Sequence, residues 1–487
     1  MKILSLFLLT LFFGANLLLA QNNIQTALTT FVNDPTLKHA SVSFHLIDLE
    51  TNKTVASNNS QLILPTASTA KLFSTATALE VLGPNFRPET RIYIDGEIDS
   101  NGVLKGNVWV RGGGDPTLGS KYFNSEDNLT SFFSTWVKKI KDAGIKSISG
   151  SVIADASEFG YNGAPGGWNW DDLGNYYGAG PSGLTIYDNM VRLKFKTSAI
   201  ANQPTTLVSM QPAVPGLVIH NYVLSSKKRG DNSYIYGAPY SLDRFATGTL
   251  PINQSEFLVK GSLPDPEMQV AYEFTQFLQT NSVEIKGGAK SARRMEVSSL
   301  EEDYSARQLI YTHKGPKLID IIKTTNHKSI NLFAEHMVSL IAYHKTGDGS
   351  TVKGLEIMET LWATRINATE IHLNDGSGLS RSNAISAKNF TALLAYMNKS
   401  KNKDAFFNSL PTSGESGTLK YVCRNQSGHG KIHAKSGTMT RIKSYAGYIH
   451  SSSGKKYAFA VIVNNQEGGT RAVKKKMEVL FNEIATF

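Results

Sequence analysis

Ser68-Thr69-Ala70-Lys71 places a hydroxyl and an amine three residues apart. On a helix, residues i and i+3 share a face, so a lysine amine at that spacing reaches the serine oxygen. Serine is a poor nucleophile until a base removes its proton, and a neutral lysine does this when burial or a cationic neighbour lowers its pKa. A position at a helix start adds a dipole that favours developing negative charge. The spacing alone decides nothing. Ser225/Lys228, Ser400/Lys403 and Ser452/Lys455 repeat it in polar, loop-like settings, where a capping serine beside a surface lysine is the simpler account. Ser68 differs because an apolar helical run begins directly after it.

Two further groups share that context. Ser329-Ile330-Asn331 opens the apolar run Leu332-Phe333-Ala334, and Lys435-Ser436-Gly437-Thr438 follows a short strand-like stretch. Thr324-Thr325-Asn326 imitates the first of these just upstream, but no apolar helix starts directly after it. His429 and His433 have the H-x-x-x-H spacing without the glutamate of the zinc-protease motif. They run from a glycine-flanked turn into a strand, where four residues span roughly 13 Å, too far for two rings to share a metal. These and the other histidines read as surface or supporting residues, and the chemistry requires neither metal nor cofactor. Cys423 is the only cysteine of the chain. An intramolecular disulfide is therefore excluded, and Cys423 reads as a packed small residue.

The elements that must position these groups are legible from periodicity. A short helix spans 24–32. Ser41 to Ile47 alternates as a half-buried strand and returns through Thr51-Asn52-Lys53 as a hairpin. Pro65-Thr66-Ala67-Ser68 leads into a helix with Leu72, Phe73, Ala76, Leu79 and Leu82 on its apolar face, stopped by Gly83-Pro84. From about residue 90 the texture changes to strands and glycine-rich turns, with one amphipathic helix over 129–143. More β-like sequence runs to about residue 299. Helical periodicity returns after Tyr311 and gives way to strands near 433, 444–450 and 457–464, the last two joined by a hairpin turn at 451–454. A helix closes the chain, with Val473, Met477, Leu480, Phe481 and Ile484 on one face.

The chain has 487 residues, more than one core accommodates, and its 41% hydrophobic and 18% charged content is that of a globular protein. Lys2 precedes a nearly unbroken apolar run from Ile3 to Ala20, after which the sequence turns polar at Gln21. A basic start, an apolar centre and a small residue before the polar switch describe a signal peptide over 1–20 and export. The run is also about long enough to span a bilayer uncleaved, so an anchor is the alternative. The net charge of +10 falls by one when Lys2 leaves. Its lysines and arginines are dispersed, and the cluster Lys474-Lys475-Lys476 lies on a solvated helix face. Nothing in that pattern requires nucleic acid, and it supports at most peripheral membrane contact.

Serine with lysine, then S-x-N at a helix start, then K-[ST]-G on a strand is the motif order of penicillin-binding proteins and class A β-lactamases. The chain resembles one branch closely, the class C low-molecular-mass penicillin-binding proteins, which are serine D-alanyl-D-alanine carboxypeptidases and endopeptidases. The resemblance covers essentially all residues after the apolar start. It rests on the three motifs, on more than two hundred residues between the first and second, and on four secondary motifs. These are Gly113 to Leu118, Gly167 to Asp171, Asp375-Gly376-Ser377-Gly378-Leu379-Ser380-Arg381 and Ser416-Gly417-Thr418-Leu419. Ile330 stands where the family usually has aspartate, and Ser436 where threonine is commoner.

The resemblance implies an α+β serine β-lactamase/DD-peptidase fold, an antiparallel sheet flanked by helices and interrupted by a large, mainly β, two-part insert. The expected division is 21–90 and 300–487 for the transpeptidase-like domain and 91–299 for the insert, with its inner part at roughly 116–189. The resemblance further implies periplasmic or extracytoplasmic hydrolysis of D-Ala-D-Ala ends and D-Ala–diaminopimelate cross-links in peptidoglycan stem peptides, with β-lactams as covalent inhibitors. Ser68 is then the nucleophile and Lys71 its base. Ser329 and Lys435 relay a proton to the leaving amine, and Asn331 binds the substrate amide. Ser436, Gly437 and Thr438 form the strand that receives the terminal carboxylate. Asp155 and Arg381 are implied for the ends of a diaminopimelate side chain, with a turn-capping aspartate and a structural salt bridge as their plainer readings. A β-lactamase or esterase on the same scaffold, or a non-catalytic wall-binding protein, are the alternatives.

Overall fold

Residues 24–295, 304–368 and 370–487 are described by the computed structural model. The expected signal peptide lies outside them. The described chain divides into two units. The first takes in the residues up to Pro84, Ile322–Ile330 and Leu355–Phe487, and the second Asn85–Ile321 and Asn331–Gly354. Among the described residues, no helix is long and apolar enough to cross a membrane.

Five strands of the first unit, β1 (Ser41–Asp48), β2 (Thr54–Asn58), β3 (Ile432–Met439), β4 (Ile442–His450) and β5 (Lys456–Asn464), form one antiparallel sheet in the order β2-β1-β5-β4-β3. The central strand β5 is apolar from Ala458 to Val463, as a strand covered on both faces must be. One face packs on helix 24–32 and helix Thr470–Thr486, through Ile24, Leu28, Phe31, Met477, Phe481 and Ile484. The other receives helix Ala387–Met397, whose Leu394 carbonyl accepts the Tyr448 hydroxyl at 2.9 Å.

The alternation in β1 promised a half-buried strand, yet Val42 to Asp48 are all buried. The polar positions face protein partners instead of water. Ser43 Oγ donates to the Asn59 carbonyl at 3.0 Å, and the His45 ring hydrogen-bonds Thr54 Oγ1 at 3.1 Å and Thr391 Oγ1 on the covering helix. Burial of those polar groups is tolerable because each is satisfied.

The second unit is built on a mixed sheet in the order Ala289–Ser291, Val152–Asp155, Val108–Gly113, Glu89–Ile94, Gln308–Lys314. Helices Ser131–Asp142 and Pro266–Thr280 bury an aromatic cluster in its core, with Trp136 edge-on to Phe133 at 5.4 Å and to Phe274 at 5.3 Å. Helix Pro266–Thr280 corrects the reading of this stretch as β-like. Asp265 caps it, accepting the Met268 N–H at 3.1 Å, and Pro266 supplies the pre-set first turn. Gln269 and Thr275 are buried alongside Val270, Phe274 and Leu278, so its polar pattern does not mark a solvent face.

Strand pairing also moves the expected boundaries. Gln308–Lys314 pairs with Glu89–Ile94, so the second unit runs past 299. Ser147–Ile148 and Val152–Asp155 pair with Val103–Lys105 and Val108–Gly113, which ties the middle of 116–189 into the sheets of the flanking residues. The strands that pair apart from those sheets fall between Met190 and Ser262. Hydrogen-bond registry, invisible in local texture, sets both limits. Of the two readings given to the histidines, surface or supporting, His336 takes the second. It is fully buried between the Gly114 carbonyl at 3.0 Å and Thr185 Oγ1 at 2.9 Å, and burial draws its pKa down to about 4.

Candidate active site

Ser68 lies in a 3-10 turn, Ala67–Ala70, that feeds helix Lys71–Val81. Ala67 just before it has φ of +47°, a left-handed conformation that costs an alanine energy and recurs where a side chain must be presented. Ser68 keeps a partly open surface, whereas Lys71 has none. Lys71 Nζ lies 3.0 Å from Ser68 Oγ and donates to the Ser377 carbonyl at 2.7 Å.

Ser377 belongs to a loop wound around one buried carboxylate. Asp375 accepts the N–H of Gly378 at 2.7 Å, the N–H of Ser380 at 2.6 Å and the Asn383 amide at 2.6 Å. Gly378, at φ +80°, lets this loop press on the nucleophile turn, since a Cβ there would stand 1.9 Å from the Ala67 carbonyl oxygen. The Asp375 loop therefore holds the carbonyl against which Lys71 is set.

On the edge strand β3, Lys435 is fully buried and donates to Ser329 Oγ at 2.9 Å and to the Ser436 carbonyl at 2.7 Å. Burial, then the positive charges of Lys71 and Lys443, hold its pKa well below the ordinary lysine value. Ser329 itself has φ of +59°, a second strained residue at the site. The upstream imitation lies within helix Leu318–Lys328, where Asn326 is buried and donates to Ser409 Oγ at 3.0 Å.

Gly437 brings β3 against the nucleophile turn. A Cβ at this position would meet Ser444 Oγ at 2.2 Å, the Thr66 carbonyl oxygen at 2.6 Å and the Ser68 nitrogen at 3.1 Å. Ser436 Oγ donates to Thr418 Oγ1 at 2.9 Å, and Lys443 Nζ donates to Thr438 Oγ1 at 2.7 Å. Arg381 is exposed, with Nη1 3.4 Å from the Thr440 carbonyl.

The first unit thus brings together Ser68, Lys71, Ser329, Lys435, Ser436, Gly437 and Thr438. Asn331 begins helix Asn331–Thr346 in the second unit, and its amide donates to the Tyr177 carbonyl at 2.8 Å. Asp155 is also in the second unit and fully buried. It accepts the Ser157 N–H at 2.8 Å, in the manner of a turn cap, and the Tyr304 hydroxyl at 2.6 Å. Three contributors escaped the reading of the sequence as site residues. Ser377 and Thr418 lay inside motifs already noted, but Lys443 lies in none. His433 lies tilted against Phe407, ring centroids 4.4 Å apart, and His429 lies 3.9 Å from Glu415. Cys423 is buried, and desolvation pushes its thiol up to about 12.

Two hydroxyl–amine pairs, each a partly open serine joined to a fully buried lysine, the lysine of the second having a depressed pKa, can activate a serine and pass a proton. Comparison with known proteins identifies the family. Residues 24–484 match the D-Ala-D-Ala carboxypeptidase 3 (S13) family. A D-alanyl-D-alanine carboxypeptidase from an Actinomadura species is 26% identical over 467 residues, covering 93% of this chain and 83% of the relative. The crystal structure of penicillin binding protein 4 from Haemophilus influenzae superposes with a TM-score of 0.78 at 22% identity, over 92% of this chain and 97% of that one. The same protein complexed with a β-lactam superposes at 0.75 and 20% identity, over the same shares.

Proposed function

The chain belongs to the D-Ala-D-Ala carboxypeptidase 3 (S13) family of serine peptidases, and we propose that it cleaves peptidoglycan stem peptides through an acyl-enzyme on Ser68. The contact that carries this reading is Lys71 Nζ to Ser68 Oγ, 3.0 Å, with the amine removed from solvent.

In the proposed reaction Lys71 acts as the base that takes the Ser68 proton as Oγ attacks the carbonyl between two D-alanines. The N–H groups of Ser68 and Thr438 receive the oxyanion; losing one such donor typically costs about 10²–10³ in rate. The C–N bond breaks as a proton passes through Ser329 and Lys435 to the departing amine. Asn331 holds a substrate amide. Ser436 and Thr438 hold the carboxylate of the leaving residue, with Lys435 lending charge. Water, deprotonated along the same route, then releases the acyl group. A β-lactam enters by the same attack and forms a penicilloyl ester on Ser68.

The same centre serves terminal D-alanine and D-Ala–diaminopimelate cross-links, which differ in the leaving amine. Arg381, exposed beside the end of β3, is assigned to the carboxylate of the diaminopimelate side chain. Asp155 is assigned to its amine. Tyr304 and Ser157 already donate to the Asp155 carboxylate, which keeps acceptor capacity for a further donor. The apolar run behind Lys2 directs the chain out of the cytoplasm, to the side on which this substrate lies.

The test is incubation with labelled penicillin, followed by peptide mass mapping. A long-lived adduct on Ser68 is expected. Label on another residue, or rapid turnover of the penicillin, overturns the reading.

A further inference from the structure

We propose that Lys443 is a positioning and specificity-determining residue, which orients the Thr438 hydroxyl and selects substrates with a free carboxylate beside the scissile bond. The proposal rests on the reading of Thr438 as part of the carboxylate site.

Lys443 lies on β4 directly across from Thr438 on β3. Its Nζ donates to Thr438 Oγ1 at 2.7 Å, while the side chain as a whole is only 7% exposed. An ammonium has donors and no acceptor, so the threonine oxygen must accept from it and its own hydrogen is left to donate elsewhere. Thr438 is exposed. The hydroxyl is therefore locked as a donor toward the open side of β3, where a carboxylate is the matching acceptor.

Charge points the same way. Among the described residues no carboxylate oxygen lies within 4.0 Å of Lys443 Nζ. The acid nearest in effect, Glu478, pairs with Lys474 at 3.2 Å. The remaining groups facing Lys443 are the Tyr445 ring, 4.4 Å away, and the cations Lys435 and Lys474. Burial and Lys474 draw the Lys443 ammonium down to about 8. A cation so placed lacks the partner that buried charges normally have. An anion bound to the Thr438 hydroxyl would supply it. Lys435 and Lys443 would then bracket the carboxylate through the short strand Ser436-Gly437-Thr438. The substrate class that follows is a peptide whose leaving residue carries a free carboxylate, in preference to the corresponding amide or ester.

The experiment uses the full chain and two peptides ending in D-Ala-D-Ala, one as the free acid and one as the C-terminal amide. Lys443→Met should lower kcat/KM for the acid by about 10–100-fold, mainly through KM, consistent with loss of a charge-assisted contact. The amide should fall far less, so the preference for acid over amide collapses. Lys443→Arg should restore the preference to within a few-fold. In the wild type the preference should decline as the pH rises through about 8, and in Lys443→Arg it should not. An unchanged acid-to-amide ratio in Lys443→Met, or an equal loss on both peptides accompanied by a lowered Tm, overturns the proposal. A second arm measures binding of both peptides in a Ser68→Ala background, which separates this proposal from the catalytic reading. If Lys443→Met abolishes the acid preference in binding while the wild type cleaves neither peptide, selection by Lys443 stands and the peptidase reading falls. If the wild type cleaves and binding selectivity is unmoved by the substitution, Lys443 falls alone.

Discussion

Lys435 Nζ reaches Ser329 Oγ at 2.9 Å from a position with no exposed surface. A buried amine whose pKa burial draws well below the ordinary lysine value, joined to a hydroxyl that is partly open, is placed to exchange a proton with it. Departure of an amine needs that proton; departure of a thiolate does not.

Ser329→Ala should therefore slow cleavage of a D-Ala-D-Ala peptide by about 10²–10⁴, the usual range for a lost proton-transfer group. A thioester with the same acyl group should lose much less, because its leaving group has a low pKa. The ratio of the two kcat values measures the effect. Equal losses on peptide and thioester would show that Ser329 only shapes the site.

Gly437 has no room for a methyl group. The added carbon would meet Ser444 Oγ at 2.2 Å and the Thr66 carbonyl oxygen at 2.6 Å, and the latter is backbone that cannot rotate away. Gly437→Ala must push β3 off the nucleophile turn. A displacement near 1 Å costs about 10² in rate, so penicillin acylation of Ser68 should fall by that order, with a lower Tm. Gly437→Ala with Ser444→Ala should recover only part, since the Thr66 clash persists. Near-normal acylation of the single variant would mean that this close approach is dispensable.

Lys443 also makes stability depend on pH. Its ordinary value of 10.5 is drawn down to about 8 in the folded chain, so between those pH values the unfolded chain holds a proton that the folded chain has released. Stability rises with pH wherever the unfolded state binds more protons. The wild type should thus gain stability relative to Lys443→Met as the pH goes from about 8 to 10.5, with a constant difference below that window. Urea titrations of both proteins at pH 7, 9 and 10.5 check this. A difference that stays flat, or falls with pH, contradicts the burial of an ammonium.

The sequence made the sheet and its covering helices legible because β5 is apolar without interruption from Ala458 to Val463 and helix Ala387–Met397 keeps a helical period. It misled at β1, where Ser43 and His45 alternate as if facing water but hydrogen-bond within the protein. It misled again at Pro266–Thr280, where the capping signal Asp265-Pro266 was present and the buried Gln269 and Thr275 masked the helical face. The site divides in the same way. Ser68 with Lys71, and Lys435 with Ser436 and Gly437, are local strings. Lys443 touches Thr438 only because the β3–β4 hairpin sets that register, and no motif encodes a cross-strand pair. The unit boundaries depend on pairings such as that of Gln308–Lys314 with Glu89–Ile94, which span more than two hundred residues.

Arg381 offers the last test, because it is exposed and little else depends on it. Its one hydrogen bond of note is long, 3.4 Å to the Thr440 carbonyl at the end of the β3–β4 hairpin. A guanidinium so weakly held is free to take a carboxylate in a bidentate grip. If it meets the carboxylate of a diaminopimelate side chain, Arg381→Ala should lower kcat/KM for a diaminopimelate stem peptide by about 10-fold or more. A peptide with lysine in that place lacks the carboxylate and should be cleaved almost as before. Arg381→Lys should recover little, since a point charge cannot reproduce the fork. Tm should barely move, as the residue is exposed. Equal kinetics on both peptides would leave Arg381 as a surface residue and place the side-chain recognition elsewhere.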